Sequence, residues 1–329
     1  MRIWGHIANC LKSSGACALV TVAETGGSTP RETGARMIVR PDGGFYGTIG
    51  GGTLEFEVIR QAAKAAGSKT AGFELTTVSL GPDLGQCCGG RAKIAIEVFI
   101  DEQLEFAERL ALEEEKQSPF ATRAIIENGS VREREIADQV PEDAFQIVEE
   151  NGQKRLIEQF GETRRTLYLF GAGHVGKALV LALAPLPFSI VWVDSRAEQF
   201  PTAVPANVTK VCTSDPANAL ENAPDGAFVL AMTHSHGLDE EIMARALLAQ
   251  RFGYCGVIGS KTKRARFLKR LKTRGLSDSV LSTMVCPVGV TTIKSKHPAA
   301  IAAGIVVDLI ARDEACYQQA AASGRLAHK

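Results

Sequence analysis

A glycine-rich turn, GAGHVG at residues 171–176, lies between an apolar run typical of a strand and a segment with helical periodicity. In such a strand–turn–helix, the first glycine permits the tight turn, the second lets a pyrophosphate approach the backbone, and the third allows close helix packing. Asp194 ends the next apolar run, where an acidic residue commonly accepts ribose hydroxyls. The pattern therefore predicts a Rossmann-like parallel sheet in the C-terminal half.

The rest of that half continues the same alternation of short apolar runs and helical stretches. Alternation of this kind is typical of βαβ units. We predict an α/β chain whose residues 166–329 form a doubly wound parallel sheet, separate from an N-terminal α+β domain. Because Ser195 and Arg196 follow Asp194, the choice between NAD and NADP stays open, as does a Rossmann fold that binds no dinucleotide.

The segment THSHGLD, residues 233–239, follows the strand-like run AFVLAM. His234 and His236 are two residues apart, so an extended chain would point both to one side, at the sheet edge where Rossmann ligands bind. They could carry protons or hold a soft metal. The alternative is that they cap the following helix and bond its backbone.

Residues 260–274 contain eight basic side chains and no acidic one. Phe267, Leu268 and Leu271 supply an apolar stripe, which predicts an amphipathic helix with a strongly positive outer face. Ser260 and Lys261 open this helix and could meet an anionic ligand. The remaining charges either dock an acidic protein or are simply solvated.

In the N-terminal half, three consecutive glycines, Gly50, Gly51 and Gly52, stand directly before a helical segment. Backbone amides at such a junction, together with the helix dipole, predict a cradle for an anion. A purely structural turn is the alternative. The preceding segment predicts a hairpin with its turn at residues 41–44.

Cys87 and Cys88 are adjacent in a glycine-rich loop, with Arg91 and Lys93 close by in the sequence. Thiols beside cationic groups favour reactive thiolates, which ligate a soft metal or carry persulfide sulfur. We expect Cys10, Cys17, Cys212 and Cys255 to be inert packing cysteines instead.

Composition excludes several classes of protein. The 329 residues carry 37 basic and 37 acidic side chains, which argues against general nucleic-acid or membrane-surface binding. No apolar run reaches the roughly 18 residues of a membrane span, and the start lacks a secretory pattern, so we expect a cytoplasmic protein. Residues 101–165 are strongly acidic, and we interpret them as a segment that connects the domain at 1–100 to the Rossmann-like domain.

Several of these motifs resemble those of the xanthine dehydrogenase accessory proteins, the XdhC/CoxI family. The matching segments run in order through both halves: ETGGSTPRETGARMIV, GTIGGGTLE, GPDLGQCCGGR, LFGAGHVGKAL, WVDSR, THSHGLD, GVIGSKTKRARF and KSKHPAAIA. The resemblance covers about residues 16 to 311.

The resemblance implies a helper rather than a turnover enzyme. It implies a homodimer that binds the molybdenum cofactor (molybdopterin), assists its sulfuration with a cysteine desulfurase as donor, and inserts it into the molybdenum subunit of apo-xanthine dehydrogenase. Cys87 and Cys88 would handle sulfur or the metal. The expected cofactor-binding residues are Ser28, Arg31, Gly50, Gly51, Gly52, Gly171, Gly173, His174, Gly176, Asp194, His234, Ser260 and Lys261. The alternative function is an NAD(P)-dependent oxidoreductase that uses the GAGHVG site.

Overall fold

The chain divides into two units, Met1–Thr163 and Arg164–Lys329, in a computed structural model that describes residues 2–79, 90–116, 118–290 and 292–322. Each unit has its own apolar core.

An antiparallel five-stranded sheet, in the order β3-β2-β1-β5-β4, forms the centre of the first unit. Its elements are α1 (Ile3–Ser14), β1 (Ala16–Gly26), β2 (Arg36–Val39), β3 (Phe45–Gly47), α2 (Gly52–Gly67), β4 (Gly72–Ser79), β5 (Arg91–Ile100) and α3 (Leu104–Glu115). Alternate apolar residues of β1 explain the layering: Val20 packs with α2 on one face, and Leu19 packs with α1 on the other. The predicted hairpin is present, with β2 paired to β3.

A second antiparallel sheet, in the order β7-β6-β9-β8, completes the first unit. Its strands are β6 (Phe120–Glu127), β7 (Ser130–Ile136), β8 (Phe145–Glu150) and β9 (Gln153–Phe160). The prediction of an acidic connecting segment was therefore wrong. The acidic stretch packs onto the first sheet because its strands alternate charged with apolar residues, such as Ala124 and Leu156, which lie in a shared core with Ala23 and Ala95.

The second unit contains a parallel six-stranded sheet in the order β12-β11-β10-β13-β14-β15, and this confirms the predicted Rossmann-like fold. Its elements are β10 (Arg165–Phe170), α4 (His174–Leu183), β11 (Phe188–Asp194), β12 (Val208–Cys212), β13 (Phe228–Ala231), α5 (His236–Ala249), β14 (Tyr254–Val257), α6 (Lys261–Thr273), α7 (Asp278–Ser282), β15 (Met284–Val285) and α8 (Pro298–Ala322). One core contains α5 and α6, and another contains α4 and α8, so the sheet is covered on both faces.

Within the four described stretches of the chain, none of the helices combines the length and the apolar character that crossing a bilayer requires.

Candidate functional site

The three glycines of the GAGHVG turn have different surroundings. A Cβ on Gly171 would lie 2.4 Å from the carbonyl oxygen of Met232, and one on Gly176 would lie 2.3 Å from that of Gly171. A Cβ on Gly173 would meet nothing within 4 Å. The fold itself therefore requires the first and third glycines. The second leaves open backbone at the start of α4, beside the exposed His174, where a phosphate group fits.

Asp194, the predicted ribose acceptor, has protein partners at both oxygens. Its Oδ2 accepts the Ala172 backbone N–H at 2.7 Å, and its Oδ1 accepts the Arg196 backbone N–H at 3.0 Å. The Arg196 guanidinium adds two further bonds of 3.0 Å. Burial raises the pKa of Asp194, but these bonds outweigh it and hold the pKa below its usual range. The Asp194 carboxylate thus stabilises the glycine turn through its bond to Ala172.

The residues after β13 are arranged differently from the extended pair of histidines that we predicted. Since β13 ends at Ala231 and α5 begins at His236, His234 and His236 are not in extended chain, and both are exposed. Ser235 caps α5 by accepting the Leu238 N–H. No group of three potential metal ligands occurs among the residues that the structure describes.

A buried ion pair joins this segment to α6. Lys263 Nζ lies 2.7 Å from Asp239 Oδ2 and 2.7 Å from the Ile258 carbonyl oxygen. Asp239 also accepts the backbone N–H and the hydroxyl of Thr233, at 2.9 and 2.8 Å. Sequence reasoning missed this pair because it placed Lys263 on a uniformly positive outer face.

The prediction of a uniformly positive outer face on α6 is also wrong for other residues. Arg270, Lys272 and Arg274 form ion pairs with Glu240, Asp278 and Glu241. Ser260 caps its own helix by accepting the Lys263 N–H at 3.2 Å. Lys261 is exposed and has no ion pair within the described ranges, so it stays a candidate for an anionic ligand.

The glycine loop of the first unit already holds an anion, the side chain of Glu55. Glu55 Oε2 accepts the Thr48 hydroxyl at 2.5 Å, the Ile49 N–H at 2.9 Å and the Gly51 N–H at 3.2 Å. Burial raises the pKa of Glu55, but these bonds prevail and the pKa lies below its usual range. The predicted cradle is therefore partly filled by a residue of its own helix, a contact that sequence reasoning did not find.

The segment from Ser28 to Arg31 packs against this loop on one side and meets Gly90 on the other. A Cβ on Gly50 would lie 2.5 Å from Pro30, next to Arg31, and a Cβ on Gly90 would lie 2.2 Å from the carbonyl oxygen of Ser28. Gly90 follows Cys88 by two positions in the sequence, while Cys87 and Cys88 themselves lie outside the described residues. The structure thus brings Ser28, Arg31 and the glycine loop into one contiguous surface.

A row of buried charges behind this surface was not anticipated from the sequence. Arg134 forms ion pairs with both Glu97 and Glu158, and Glu158 also contacts Arg36. Burial raises the pKa of Glu97 to about 7. In a sequence, such a row of buried charges shows only as an acidic or basic residue at a strand position that faces the interior. Those positions can be recognised only when the pairing register of the strands is known.

The cysteines divide as expected with one exception. Cys10, Cys17 and Cys255 are buried, but Cys212 is exposed, so its prediction as a packing residue was wrong. Cys286, which belongs to none of the sequence motifs, lies at the carboxyl edge of the sheet with its Sγ 3.9 Å from the Ser260 carbonyl oxygen. Burial raises the pKa of the Cys286 thiol.

Comparison with known families shows to which family the chain belongs. The sequence model described as the XdhC and CoxI family matches residues 10–79, and the model of the XdhC Rossmann domain matches residues 167–309. The chain belongs to the XdhC family. The resemblance found from the sequence motifs is thereby confirmed.

Two curated relatives align with nearly the whole chain. The uncharacterised protein YqeB of Escherichia coli K12 is 26% identical over 316 residues, which are 94% of this chain and 46% of YqeB. The chain therefore spans about half the length of that relative. A Bacillus subtilis 168 protein, named as a probable xanthine dehydrogenase subunit, is 23% identical over 89% of this chain and 92% of that protein.

A solved structure shares the fold of this XdhC family member. The crystal structure of a xanthine dehydrogenase from Bacillus halodurans superposes with a TM-score of 0.74 at 23% identity, covering 95% of this chain and 96% of that one. The two-unit architecture is thus an experimentally observed fold.

Proposed function

We propose that this protein is a maturation factor for xanthine dehydrogenase: it binds the molybdenum cofactor, assists its sulfuration and inserts it into the apo-enzyme. Family membership supports the maturation role, since the names of two similar proteins refer to xanthine dehydrogenase. Binding, sulfuration and insertion are our inferences from the geometry of the motif loops.

The observation that carries the proposal is that the segment from Ser28 to Arg31 contacts two motifs that are distant in sequence, the glycine loop at Gly50 and the residue Gly90. Gly50 packs on Pro30, and Gly90, which follows Cys88 by two positions in the sequence, packs on Ser28. A pterin cofactor with an anionic tail and a sulfur-bound metal needs anion donors and a soft ligand side by side. Arg31 and the loop amides supply the first, and Cys87 or Cys88 would supply the second.

Glu55 supports the anion-binding character of this surface. Its carboxylate receives bonds from a hydroxyl and two backbone amides, which is the donor set that a phosphate oxygen uses. A cargo phosphate would either displace this carboxylate or bind beside it.

Sulfur handling would use one thiol of the adjacent pair. A thiolate of Cys87 or Cys88 attacks the outer sulfur of a persulfide on a cysteine desulfurase, so that the desulfurase leaves as a thiolate and the new persulfide forms here. We propose this desulfurase, the molybdenum subunit of apo-xanthine dehydrogenase and a second copy of the chain as partners in the cytoplasm.

The proposal is tested by isolating the full chain from cells that make the cofactor and measuring the fluorescent pterin that acid oxidation releases. We expect pterin from the wild type and failure of the Cys87→Ser/Cys88→Ser double variant to activate apo-xanthine dehydrogenase. The exposed Cys212 provides the matched control, and Cys212→Ser should retain activation. Preparations that never contain or take up pterin would overturn cofactor binding.

An NAD(P)-dependent oxidoreductase is the second candidate, and Gly173 is the observation in its favour. The open backbone at Gly173 fits a pyrophosphate, but the ribose acceptor Asp194 is already bonded to Ala172 and Arg196. Because Asp194 is already engaged by these protein groups, we rank the oxidoreductase below the maturation factor.

A further inference from the structure

The first unit contains a buried row of charged side chains, Glu97–Arg134–Glu158–Arg36. The side chains in the middle of the row are paired, whereas each of the two at the ends has a polar atom without a hydrogen-bond partner within the described ranges. The four side chains are between 2% and 9% exposed. Arg134 in the middle pairs with both glutamates, whereas Nε of Arg36 and Oε1 of Glu97 have no hydrogen-bond partner in the described part of the chain.

Arg36 holds most of the unmet hydrogen-bonding capacity. A guanidinium has five N–H donors. Nη1 of Arg36 donates at 2.8 Å to the Gln159 carbonyl oxygen and Nη2 at 3.5 Å to Glu158, whereas the buried Nε–H has no partner among the described residues. An unpaired buried donor costs roughly 1–3 kcal/mol, and the cost is larger on a charged group. A protein that keeps such a group is expected to use it.

Arg36 lines a cavity of about 300 Å³ that also includes Arg31, Gly47 and Thr48. These residues come from the same two motif loops that form the proposed cofactor surface. The ring of Phe160 lies 4.2 Å from the guanidinium carbon and fixes the plane of the fork. A cavity of this size lies at the lower end of small-molecule sites and holds a phosphate group or the end of a larger ligand.

Two acidic side chains, Glu32 and Glu162, also line the cavity, and both are exposed. Glu32 forms an exposed ion pair with Arg31 at 2.9 Å. Exposed pairs contribute at most about 1 kcal/mol, so an incoming anion can replace Glu32 as the partner of Arg31 at little cost.

The charge of the row supports an anion rather than a cation as ligand. Glu97 faces Arg134 and Arg36, which favour its ionised form, and Glu158, which opposes it; burial dominates and raises its pKa to about 7. Near neutral pH the row therefore carries a net charge between zero and plus one. Glu32 and Glu162 in the lining are exposed to solvent, which screens their charges, so the buried end of the cavity at Arg36 attracts anions.

We propose that this cavity, hereafter the Arg36 cavity, binds an oxyanion of the phosphate type, with Arg36 as its buried anchor and Arg31 at its mouth. The guanidinium fork matches two oxygens of such a group. The proposal rests on the proposed function, in which the oxyanion is the phosphate of the pterin cofactor. Free inorganic phosphate presents the same oxygens.

Titration of the full chain with inorganic phosphate tests the site. We expect the wild type to bind phosphate, Arg36→Lys to weaken binding at least tenfold because it loses the fork, and Arg31→Ala to weaken it several-fold. Arg134→Lys is the matched control: it perturbs the same row of charges but does not line the Arg36 cavity, and it should retain binding. Since the Arg31 side chain is 38% exposed, its variant stays informative even if Arg36→Lys fails to fold.

The pterin released from wild type and from Arg36→Lys distinguishes the two sources of phosphate. A lower pterin content in Arg36→Lys assigns the cavity to the cofactor, whereas unchanged pterin with lost phosphate binding assigns it to free phosphate. Absence of phosphate binding by the wild type, or equal losses in Arg36→Lys and Arg134→Lys, overturns the proposal. Release of normal pterin in that case leaves the proposed function standing.

Discussion

The Oδ2 atom of Asp194 accepts the backbone N–H of Ala172 at 2.7 Å, so the end of β11 is bonded directly to the glycine turn that follows β10. Arg196 occupies the same carboxylate through its backbone and its guanidinium. The acidic residue that would select a ribose thus stabilises the turn, and a nucleotide would have to compete with Arg196 for it.

Replacement of Arg196 with alanine should therefore tighten NADH binding, by about tenfold or more, because a hydrogen bond to a charged group contributes about 1.5–3 kcal/mol. Fluorescence titration with NADH measures the change. Arg245→Ala, which removes an exposed pair with Glu241 in the same unit, is the control. Unchanged or weaker NADH binding by Arg196→Ala would contradict the competition that we infer.

Alanine at Gly173 should leave stability almost unchanged, whereas alanine at Gly176 should lower it. Gly173 has φ −73° and open space at its Cβ, so Gly173→Ala should leave the free energy of unfolding within about 0.5 kcal/mol of wild type. Gly176→Ala forces a Cβ to 2.3 Å from a carbonyl oxygen, so its loss in the free energy of unfolding should be several-fold larger. Urea unfolding measures both, and equal losses would show that Gly173 also packs tightly.

Glu55 should stabilise the glycine loop and at the same time limit its affinity for external anions. Glu55→Ala removes three hydrogen bonds and should lower the free energy of unfolding by about 1–3 kcal/mol, while it frees the amides of Ile49 and Gly51 for sulfate. Thermal unfolding with and without sulfate measures both effects. Glu57→Ala, on the same helix but paired with exposed Arg60, should change neither.

Loss of Lys263 should be far more harmful than loss of Asp239 and Lys263 together. Lys263→Met leaves the charge of Asp239, which is 1% exposed, without its cation, and breaking such a pair costs about 3–5 kcal/mol. In Lys263→Met/Asp239→Asn the uncompensated charge is gone, so much of the stability should return. Denaturant unfolding of these two variants and of Asp239→Asn gives the coupling energy, and additive losses would refute it.

The stability of the first unit should fall as pH rises from about 4.5 to about 7. Burial raises the pKa of Glu97 in the folded state to about 7, from 4.5 as the reference for an unfolded chain. The folded state then binds the extra proton in this window, so its stabilisation is present below pH 4.5 and disappears as pH rises through 7.

Glu97→Gln should reduce this dependence but not abolish it, because burial also raises the pKa of Glu114 in the same unit to about 7. The free energy of unfolding against pH measures the change. Glu158→Gln is the comparison, since Glu158 pairs with the same Arg134. The same slope in wild type and Glu97→Gln would exclude Glu97 as the titrating group.

Local features of this protein were predictable from its sequence. The strand–turn–helix at Gly171 and the hairpin before Gly50 depend on backbone preferences and periodicity within a few residues. The acidic segment was misjudged because its apolar positions are spaced by strand alternation, and only pairing with other strands makes one face an interior.

The sequence by itself determined the family, the Rossmann-like half and the loops in which mutations are most informative, because glycine spacing and apolar alternation are local requirements of backbone geometry. The tertiary structure alone decided which polar groups meet: Asp194 with the Ala172 backbone N–H, Lys263 with Asp239, and Arg36 with Glu158 of the buried row. Such contacts join residues up to 122 positions apart, and whether a side chain turns inward there depends on register and packing that no local pattern specifies.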